Sequence, residues 1–546
     1  MFGVSVTALL ERFNRIFLDL GRQFRWSFLP PLMIYFAAGI SGLSAIVGTF
    51  FVKEYLGLSA AFLSGLAFWV GMPWALKMPI GHLVDILWRW RALLVYLGAA
   101  LIAASLTIMY GLISSPSQLA KVMSLEAWYI LSALLAPSGY VIQDAVADAM
   151  SVEAVPRLDA DGKPLSNAQA KSLHTTMQTL GRFALISGLV AVALLNIFMF
   201  SGVENMSQSE KEITYGHIYL IALAIPIISI SGVLLAAFQR QKQRIAYSAR
   251  GISEDEISKI LEGPDEPTKP NYWYFGGGIA FVVLSLMVGL GDVPFAQEIV
   301  FAGSMMIVLF LMLQLVGELS RVQARTLFGT AIIIFIFRAV PLPGPGATWF
   351  EIDVLGFDQR FLAILSLIAS ILTLLGMIVL QPLMTTKSIA YIVVLLTLAA
   401  GLLSLPNIGL YYGLHNWTGA MTGGVVDARF IAVIDTAIES PLGQIAMIPM
   451  LAWIAKNAPA KLKATFFAVM ASFTNLALSA SSLLTKYLNM IFVVTREVRS
   501  GANDTIKVAA DYSALGWLLI TVTIILVVAP LATILLVQRS SFRTSE

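Results

Sequence analysis

The sequence predicts an all-α, polytopic membrane protein made of two six-helix halves with a further helix pair inserted between them. Three observations support this prediction: the composition, the spacing of the apolar runs and a short internal repeat. Of the 546 residues, 58% are hydrophobic and only 12% are charged, whereas soluble domains average about 25% charged residues. A membrane-spanning helix needs about 20 mostly apolar residues, and such runs recur along the whole chain. A membrane β-barrel would instead show short segments of alternating hydrophobicity.

Several function classes are disfavoured by what the sequence lacks. It contains no cysteine, which excludes disulfides, thiol nucleophiles and iron–sulfur clusters. The four histidines are scattered and show no metal-ligand spacing, and neither an H-E-x-x-H nor a G-x-S-x-G motif occurs. We therefore expect no enzyme activity, no bound metal, no cofactor and no nucleic-acid partner.

Residues 1–26 predict an amphipathic helix that lies on the cytoplasmic face of the membrane. Apolar side chains at helical spacing alternate there with arginines, at Leu9, Phe13, Ile16, Phe17, Leu20, Phe24, Arg12, Arg15, Arg22 and Arg25. A helix with one apolar and one basic face binds the boundary between lipid headgroups and acyl chains. A frayed tail is the alternative that the sequence leaves open.

The apolar runs predict fourteen membrane spans with both termini in the cytoplasm. The runs lie at residues 29–51, 59–80, 92–113, 127–150, 174–200, 214–238, 271–291, 295–317, 327–350, 358–381, 388–408, 429–455, 464–487 and 513–537. Most of the 35 lysines and arginines fall in segments that this topology places inside, as the positive-inside rule requires. A twelve-span topology, with the two middle segments as re-entrant hairpins, has the same sidedness and stays open.

A short internal repeat divides the chain into two halves. Residues 56–63 read LGLSAAFL and residues 355–362 read LGFDQRFL, and each stretch lies in the outer turn between the first and second span of a half. The resulting domains are the N-terminal helix at 1–26, an N-terminal half at 27–238, a cytoplasmic linker at 239–270, an inserted helix pair at 271–317 and a C-terminal half at 325–540. Duplicated six-helix halves are the architecture of the major-facilitator transporters.

Five stretches resemble a known transporter family. They read YFAAGISGLSAIVGTFFVKEYLGLS at 35–59, PWALKMPIGHLVD at 73–85, QDAVADAMSVE at 143–153, GQIAMIP at 443–449 and ATFFAVMASFTNL at 464–476. Together they resemble the folate–biopterin transporter family of the major facilitator superfamily, across both halves but not across the linker or the inserted pair. QDAVADAMSVE is also similar to the corresponding stretch of the related muropeptide permeases. The resemblance implies a major-facilitator fold and a folate- or pterin-like solute.

The superfamily's inner-loop signature, roughly G-x-x-x-D-R-x-G-R-R, is partly retained in the first half. GHLVDILWRWR keeps Gly81, Asp85, Arg89 and Arg91. It lacks the first arginine and the second glycine of the signature, and the counterpart near QPLMTTK in the second half has no acid. The resemblance therefore implies a gating role for these four residues in the first half.

Two carboxylates at the end of the fourth span are the main candidates for ion coupling. Asp144 and Asp148 are four residues apart, so both project from one face of a helix. Charged groups inside a span cost about 2.5–3.5 kcal/mol at the helix centre and usually mark functional sites. Two close carboxylates suit proton coupling because like charges at short range favour sharing a proton. The alternative is a structural role at the inner gate. Glu153 lies beyond the apolar run and is expected to be a solvated acid or one that latches a loop.

The fourth span of the second half repeats this spacing nearer its outer start. Asp435 and Glu439 are again four residues apart, which predicts an outer gate or the upper wall of a cavity. Pro441 and Pro449 follow in the same span and break the helix locally. Carbonyl groups freed in this way are tolerated in a membrane where they line a cavity.

Three cations and one amide inside the spans complete the candidate site. Lys77 lies late in the second span, Arg182 lies in the fifth with Gln178 one turn before it, and Arg338 lies in the first span of the second half. A guanidinium matches carboxylates and phosphates in shape, so these residues are expected to bind an anionic substrate. Pro341, Pro343 and Pro345 follow Arg338 and are expected to interrupt that helix. Arg182 could instead pair with Asp144, and Arg338 could instead extend towards the outer surface; the sequence leaves both alternatives open.

These features predict a secondary transporter that moves a small, anionic solute by alternating access, coupled to protons, and the family resemblance implies that the solute is folate- or pterin-like. No G-x-x-x-x-G-K-[ST] loop is present, so direct use of ATP is not expected. A muropeptide-type permease and a non-transporting membrane assembly factor on the same fold are the alternatives. We expect a monomer embedded in the lipid bilayer of the bacterial inner membrane.

Overall fold

The computed structural model places the described part of the chain almost entirely in α-helices. It describes residues 22, 24–55, 58–75, 77–87, 90–156, 167–262, 272–290, 293–316, 321–379, 388–439, 463–499 and 506–543. The helices are α1 Leu29–Ile40, α2 Ala45–Tyr55, α3 Ala60–Ala75, α4 Lys77–Ile86, α5 Arg91–Ser114, α6 Pro116–Leu119, α7 Leu125–Glu153, α8 Asn167–Met199, α9 Gln208–Ala222, α10 Ala224–Ala249, α11 Glu254–Glu262, α12 Tyr272–Leu290, α13 Ala296–Val316, α14 Arg321–Arg338, α15 Pro345–Asp353, α16 Gln359–Val379, α17 Ile389–Tyr411, α18 Leu414–Met421, α19 Ala428–Glu439, α20 Lys463–Ile491 and α21 Leu515–Arg539. Short 3-10 helices lie at Trp26–Phe28, Ser41–Ser44 and Val203–Asn205. Two short strands, β1 Val498–Arg499 and β2 Ile506–Val508, pair antiparallel between α20 and α21.

Nine helical segments in the described ranges are long and apolar enough to cross a membrane. They run over Trp26–Val52, Arg91–Ser114, Leu125–Ser151, Thr179–Met199, Gln208–Ala249, Ala296–Leu313, Gln359–Gly376, Ile389–Tyr411 and Leu515–Arg539. Two shorter apolar helices, Ala60–Ala75 and Gly276–Ser285, add to them. The predicted all-α membrane class is thus confirmed, while the number of fourteen spans stays a prediction.

The predicted first span of the second half is an interrupted helix. α14 ends at Arg338, and α15 begins at Pro345. The gap holds Pro341 and Pro343, which cannot continue the hydrogen bonding of an α-helix. Gly344 in the gap has φ 81°, a left-handed conformation that favours glycine. The break therefore leaves Arg338 at a half-buried helix terminus inside the predicted span.

The two predicted halves contact each other most extensively through two helix pairs, within the part of the chain that the structure describes. α3 packs against α20, and α8 packs against α16. Counted along each half, both pairs join a second span to a fifth span of the opposite half, as expected for a duplicated chain. Phe68 and Met72 of α3 and Phe473 and Leu476 of α20 belong to one buried cluster. Apolar packing therefore stabilises the contact between these two helices, which we call the α3–α20 seam; the contact between α8 and α16 is the α8–α16 seam.

The inserted helices α12 and α13 pack on each other beside the α3–α20 seam. α13 contacts both α3 and α20, and α12 contacts α4. Val308, Leu311 and Met312 of α13 join the same buried cluster as Phe68 and Phe473. The pair is therefore packed against helices of both halves and is not held by its chain connections alone.

The predicted linker is partly helical. α10 continues beyond its apolar run, and its Arg244 is 2.7 Å from the carboxylate of Glu254 in α11. Ile257 of α11 is fully buried, which anchors this short helix. The predicted N-terminal amphipathic helix lies almost wholly outside the described residues, as do Pro441, Pro449 and the QPLMTTK stretch.

Candidate functional site

An ion-pair cluster lies inside the N-terminal half, between α4 and α7. The Lys77 ammonium is 2.6 Å from Oδ2 of Asp144 and 2.7 Å from Oδ2 of Asp148. One cation therefore bridges the two carboxylates, which their one-turn spacing presents on the same face of α7. The exposed fraction of the side chain is 24% for Lys77, 16% for Asp144 and 47% for Asp148. Asp144 is thus the shielded acid and Asp148 the accessible one.

Tyr35 is a fourth member of this cluster, and no sequence pattern singles it out. Its hydroxyl donates to Oδ1 of Asp148 at 2.7 Å, across 113 positions of the chain. Tyr35 is itself buried, because α1 packs against α7. A tyrosine inside the first span could have been noticed in the sequence. Only the packing of α1 on α7 shows that its hydroxyl contacts Asp148.

Lys77, and not Arg182, is the ion-pair partner of Asp144. The Arg182 guanidinium acts on this carboxylate through longer-range electrostatics, while the ammonium is in direct contact. The reason lies in the packing, because α4 lies against α7 and carries Lys77 to the acidic face. The side chain of Gln178, one turn before Arg182, lies outside the described residues.

Two arginines of the predicted spans have side chains that are at least partly exposed. Arg182 on α8 is exposed, and Arg338 at the end of α14 is half-buried. Within the ranges that the structure describes, no group forms an ion pair or a hydrogen bond with either guanidinium. An unpaired charge inside a membrane protein is costly, so a bound anion would be a favourable partner for both.

The acidic pair predicted in the second half is only partly described. Asp435 on α19 is buried and accepts a hydrogen bond of 3.1 Å from Nδ2 of Asn407 on α17. Glu351, near the end of α15, lies within electrostatic range of Asp435. The side chain of Glu439 lies outside the described residues. Helix packing therefore adds a carboxylate from another helix to this region, which no spacing in the sequence indicated.

Glu153 forms ion pairs with two arginines at the predicted inner end of the N-terminal half. Its carboxylate is 2.5 Å from Nη2 of Arg91 and 2.7 Å from Nη2 of Arg240. Arg91 begins α5 and Arg240 lies on α10, so the two ion pairs tie the end of α7 to two neighbouring helices. An acid that fastens neighbouring helix ends together at the inner face, as a latch does, would make such contacts.

The other residues of the inner-loop signature are described only in part. Gly81 lies in α4, whereas the side chain of Asp85 and the whole of Arg89 lie outside the described residues. Arg91 is therefore the signature residue whose contacts are known. The gating role of the set stays a prediction.

Glu153→Gln is expected to lower the free energy of unfolding by about 1–3 kcal/mol. The reason is that Arg91, which is only 8% exposed, would keep its charge next to a neutral amide. Thermal unfolding of the purified protein measures the change. Glu254→Gln is the matched control, because the Arg244–Glu254 pair is half exposed and such pairs contribute about 0–1 kcal/mol. Equal destabilisation by the two substitutions would contradict the latch.

Known proteins resemble this chain in sequence over most of its length. A family model described as the BT1 family matches residues 38–544. A folate-biopterin transporter from Synechocystis sp. is 25% identical over 490 residues, which cover 88% of this chain and 79% of the relative.

Solved transporter structures resemble the chain in fold. A POT family transporter in complex with 5-aminolevulinic acid has a TM-score of 0.58 at 13% identity and covers 94% of this chain and 96% of its own. The peptide transporter POT in complex with sulfate has a TM-score of 0.56 at 15% identity, with coverages of 96% and 98%. A variant of the nucleoside transporter NupG has a TM-score of 0.54 at 12% identity, with coverages of 93% and 98%. The likeness confirms the predicted major-facilitator fold.

Proposed function

Since this chain belongs to the BT1 family and is a membrane transporter, we propose that it carries a folate- or pterin-like anion across the membrane together with protons. The observation that carries this proposal is the Lys77 ammonium held between Asp144 and Asp148. Ionisable groups placed inside spans are the usual elements of proton relays in transporters. We therefore assign proton coupling to this cluster.

The cluster can change its charge in a single protonation step. With both acids ionised, Lys77 and the two carboxylates carry one net negative charge. Binding of one proton makes the cluster neutral and weakens one of the two contacts to Lys77. A neutral cluster is less costly to shield from water than a charged one. Asp144, the more shielded acid, is the proton acceptor in this scheme.

Arg182 and Arg338 would hold the anionic end of the substrate. Arg182 lies within electrostatic range of Asp144, so protonation of Asp144 removes a competing negative charge and strengthens the attraction of Arg182 for an anion. Proton binding and substrate binding then favour each other. A folate offers a flat ring and an anionic tail, and the Synechocystis relative is named a folate-biopterin transporter.

Alternating access would use the two seams between the halves. The α3–α20 and α8–α16 contacts would loosen and close in turn as the halves rock about a central site. Lys77 begins α4 directly after α3, and Arg182 lies on α8. A change of charge at the cluster would therefore act next to the α3–α20 seam, and its electrostatic effect would reach Arg182 on a helix of the α8–α16 seam.

Uptake into liposomes tests the proposal. Purified protein is reconstituted and offered labelled folates, pterins, muropeptides and peptides, each with and without an inward proton gradient. We expect gradient-stimulated uptake of a folate or a pterin. Uptake confined to muropeptides or peptides would overturn the substrate class, and no gradient-stimulated uptake of any candidate would overturn coupled transport.

Arg338→Ala is expected to weaken the uptake of anionic substrates more than that of neutral pterins. Loss of a hydrogen bond to a charged group raises the KM for the anion about tenfold or more, while a neutral ring has no such bond to lose. Initial uptake rates over a range of substrate concentrations measure both effects. Arg360→Ala, which removes an exposed arginine at the start of α16, is the control. Equal weakening for both substrates would assign Arg338 a structural role.

A further inference from the structure

Gln297 of the inserted helix α13 joins the two halves by hydrogen bonds. Its Nε2 donates to the carbonyl oxygen of Gly65 on α3 at 3.0 Å. Its Oε1 accepts from the Lys486 ammonium on α20 at 2.8 Å. A carboxamide can donate and accept at the same time, so one side chain connects the N-terminal half, the inserted pair and the C-terminal half.

The neighbouring residue strengthens the connection to α20. Oε1 of Glu298 is 3.2 Å from the Lys486 ammonium and also accepts a hydrogen bond from the Tyr487 hydroxyl. Charge-assisted hydrogen bonds are about twice as strong as neutral ones. The first turn of α13 is therefore attached more firmly to α20 than to α3, where Gln297 makes a single neutral hydrogen bond.

This junction lies at one end of three helices. Gly65 is in the second turn of α3, Gln297 is in the first turn of α13, and Lys486 is near the end of α20. The predicted topology puts these ends at the outer face. Trp69 and Phe295 are among the residues that line a cavity of about 350 Å³ beside the junction, so the polar contacts are not sealed in a dry core.

We propose that the inserted helix pair is a conformational brace that holds the ends of α3 and α20 together and keeps this face of the transporter closed. Opening the face separates these two helix ends, which breaks the hydrogen bond from Gln297 to Gly65 first, because it is the weaker side of the junction. Asn475 donates to the carbonyl oxygen of Trp74 at 3.0 Å further along the same two helices. That contact lets one end open while the helices stay joined. The brace acts whatever the substrate is.

Cysteine accessibility tests the brace in a chain that has no native cysteine. Ser479 is 1% exposed and faces Gly71 of α3, so Ser479→Cys places a thiol inside the seam. With the protein purified in nanodiscs, we expect Lys486→Met to raise the rate of labelling by a water-soluble maleimide about tenfold. Gln297→Glu is expected to do the same, because a carboxylate still pairs with Lys486 but cannot donate to Gly65.

Three further variants serve as controls for the loss of charge at Lys486 and for general unfolding. Lys486→Arg keeps a charged donor and is expected to label like the parent, as is Lys242→Met, which removes an exposed lysine from α10. Ser229→Cys reports general unfolding, because Ser229 is fully buried within the N-terminal half. An unchanged rate at position 479 in both Lys486→Met and Gln297→Glu would overturn the brace, and so would a parallel rise at position 229.

The labelling needs neither substrate nor a proton gradient. Failure of the brace is therefore distinguishable from failure of the proposed transport function. A transporter of another solute would still show the increased labelling, and a folate transporter without a brace would not.

Discussion

Asp144→Asn is expected to abolish the stimulation of uptake by an inward proton gradient while substrate exchange across the membrane continues. Asparagine has the size of aspartate, and its carbonyl can still accept a hydrogen bond from Lys77, which is 2.6 Å from the native carboxylate. It cannot take up a proton as a carboxylate does. The cluster would then keep the neutral charge that it has when Asp144 is protonated. The two halves could still move relative to each other, but no proton would be carried. Gradient-driven accumulation should fall to the level of empty liposomes, with counterflow of labelled substrate retained.

Two further substitutions decide which acid carries the proton. Asp255→Asn removes an exposed acid from α11 and should leave coupling unchanged. Asp148→Asn should weaken coupling without abolishing it, because Asp148 is 47% exposed and its charge is partly screened by water. Normal coupling in Asp144→Asn would show that the proton role of Asp144 is wrong. Loss of coupling in Asp148→Asn alone would assign that role to Asp148.

Lys77→Met should lower both transport and stability. The substitution leaves Asp144 and Asp148 next to each other without the cation that bridges them. Removing one partner of a buried ion pair costs about 3–5 kcal/mol, and we expect a value near the lower limit because Asp148 is accessible to water. Thermal unfolding of the purified protein measures the loss.

A combined variant separates charge from packing at this position. Replacing Asp144 and Asp148 with asparagine in the Lys77→Met background removes the unpaired charges, so stability should return towards that of the parent while coupling stays absent. Lys77→Arg keeps the charge and should retain most of the stability. If the combined variant is as unstable as Lys77→Met, the lysine contributes through packing and the ion-pair description is wrong.

The sequence predicted part of the candidate site for reasons that are local. The four-residue spacing places Asp144 and Asp148 on one helix face, and this follows from the helical repeat whatever the surroundings. The interruption after Arg338 follows equally from the prolines that succeed it. Both features need no knowledge of neighbouring helices.

The sequence could not show which side chains contact each other when they come from different helices. Arg182 was the cation that the sequence offered as a partner of Asp144, whereas the structure places Lys77 there, across 67 positions of the chain. Tyr35 could not be selected among the many aromatic residues of the spans, because its contact with Asp148 depends on how α1 lies on α7. No sequence pattern singled out Gln297, because a glutamine near a helix end is common. Its importance follows only from its contacts with two other helices.

Composition and periodicity establish that this chain is an all-α membrane protein with acids and arginines inside its spans, because both properties depend on residues close together along the chain. Tertiary structure decides which charges pair, which arginines have no ion-pair partner among the described residues, and that the inserted helices contact both predicted halves. These contacts join residues as far apart as Trp74 and Asn475, separated by 401 positions. Their formation depends on the relative placement of whole helices, and no local pattern encodes that placement.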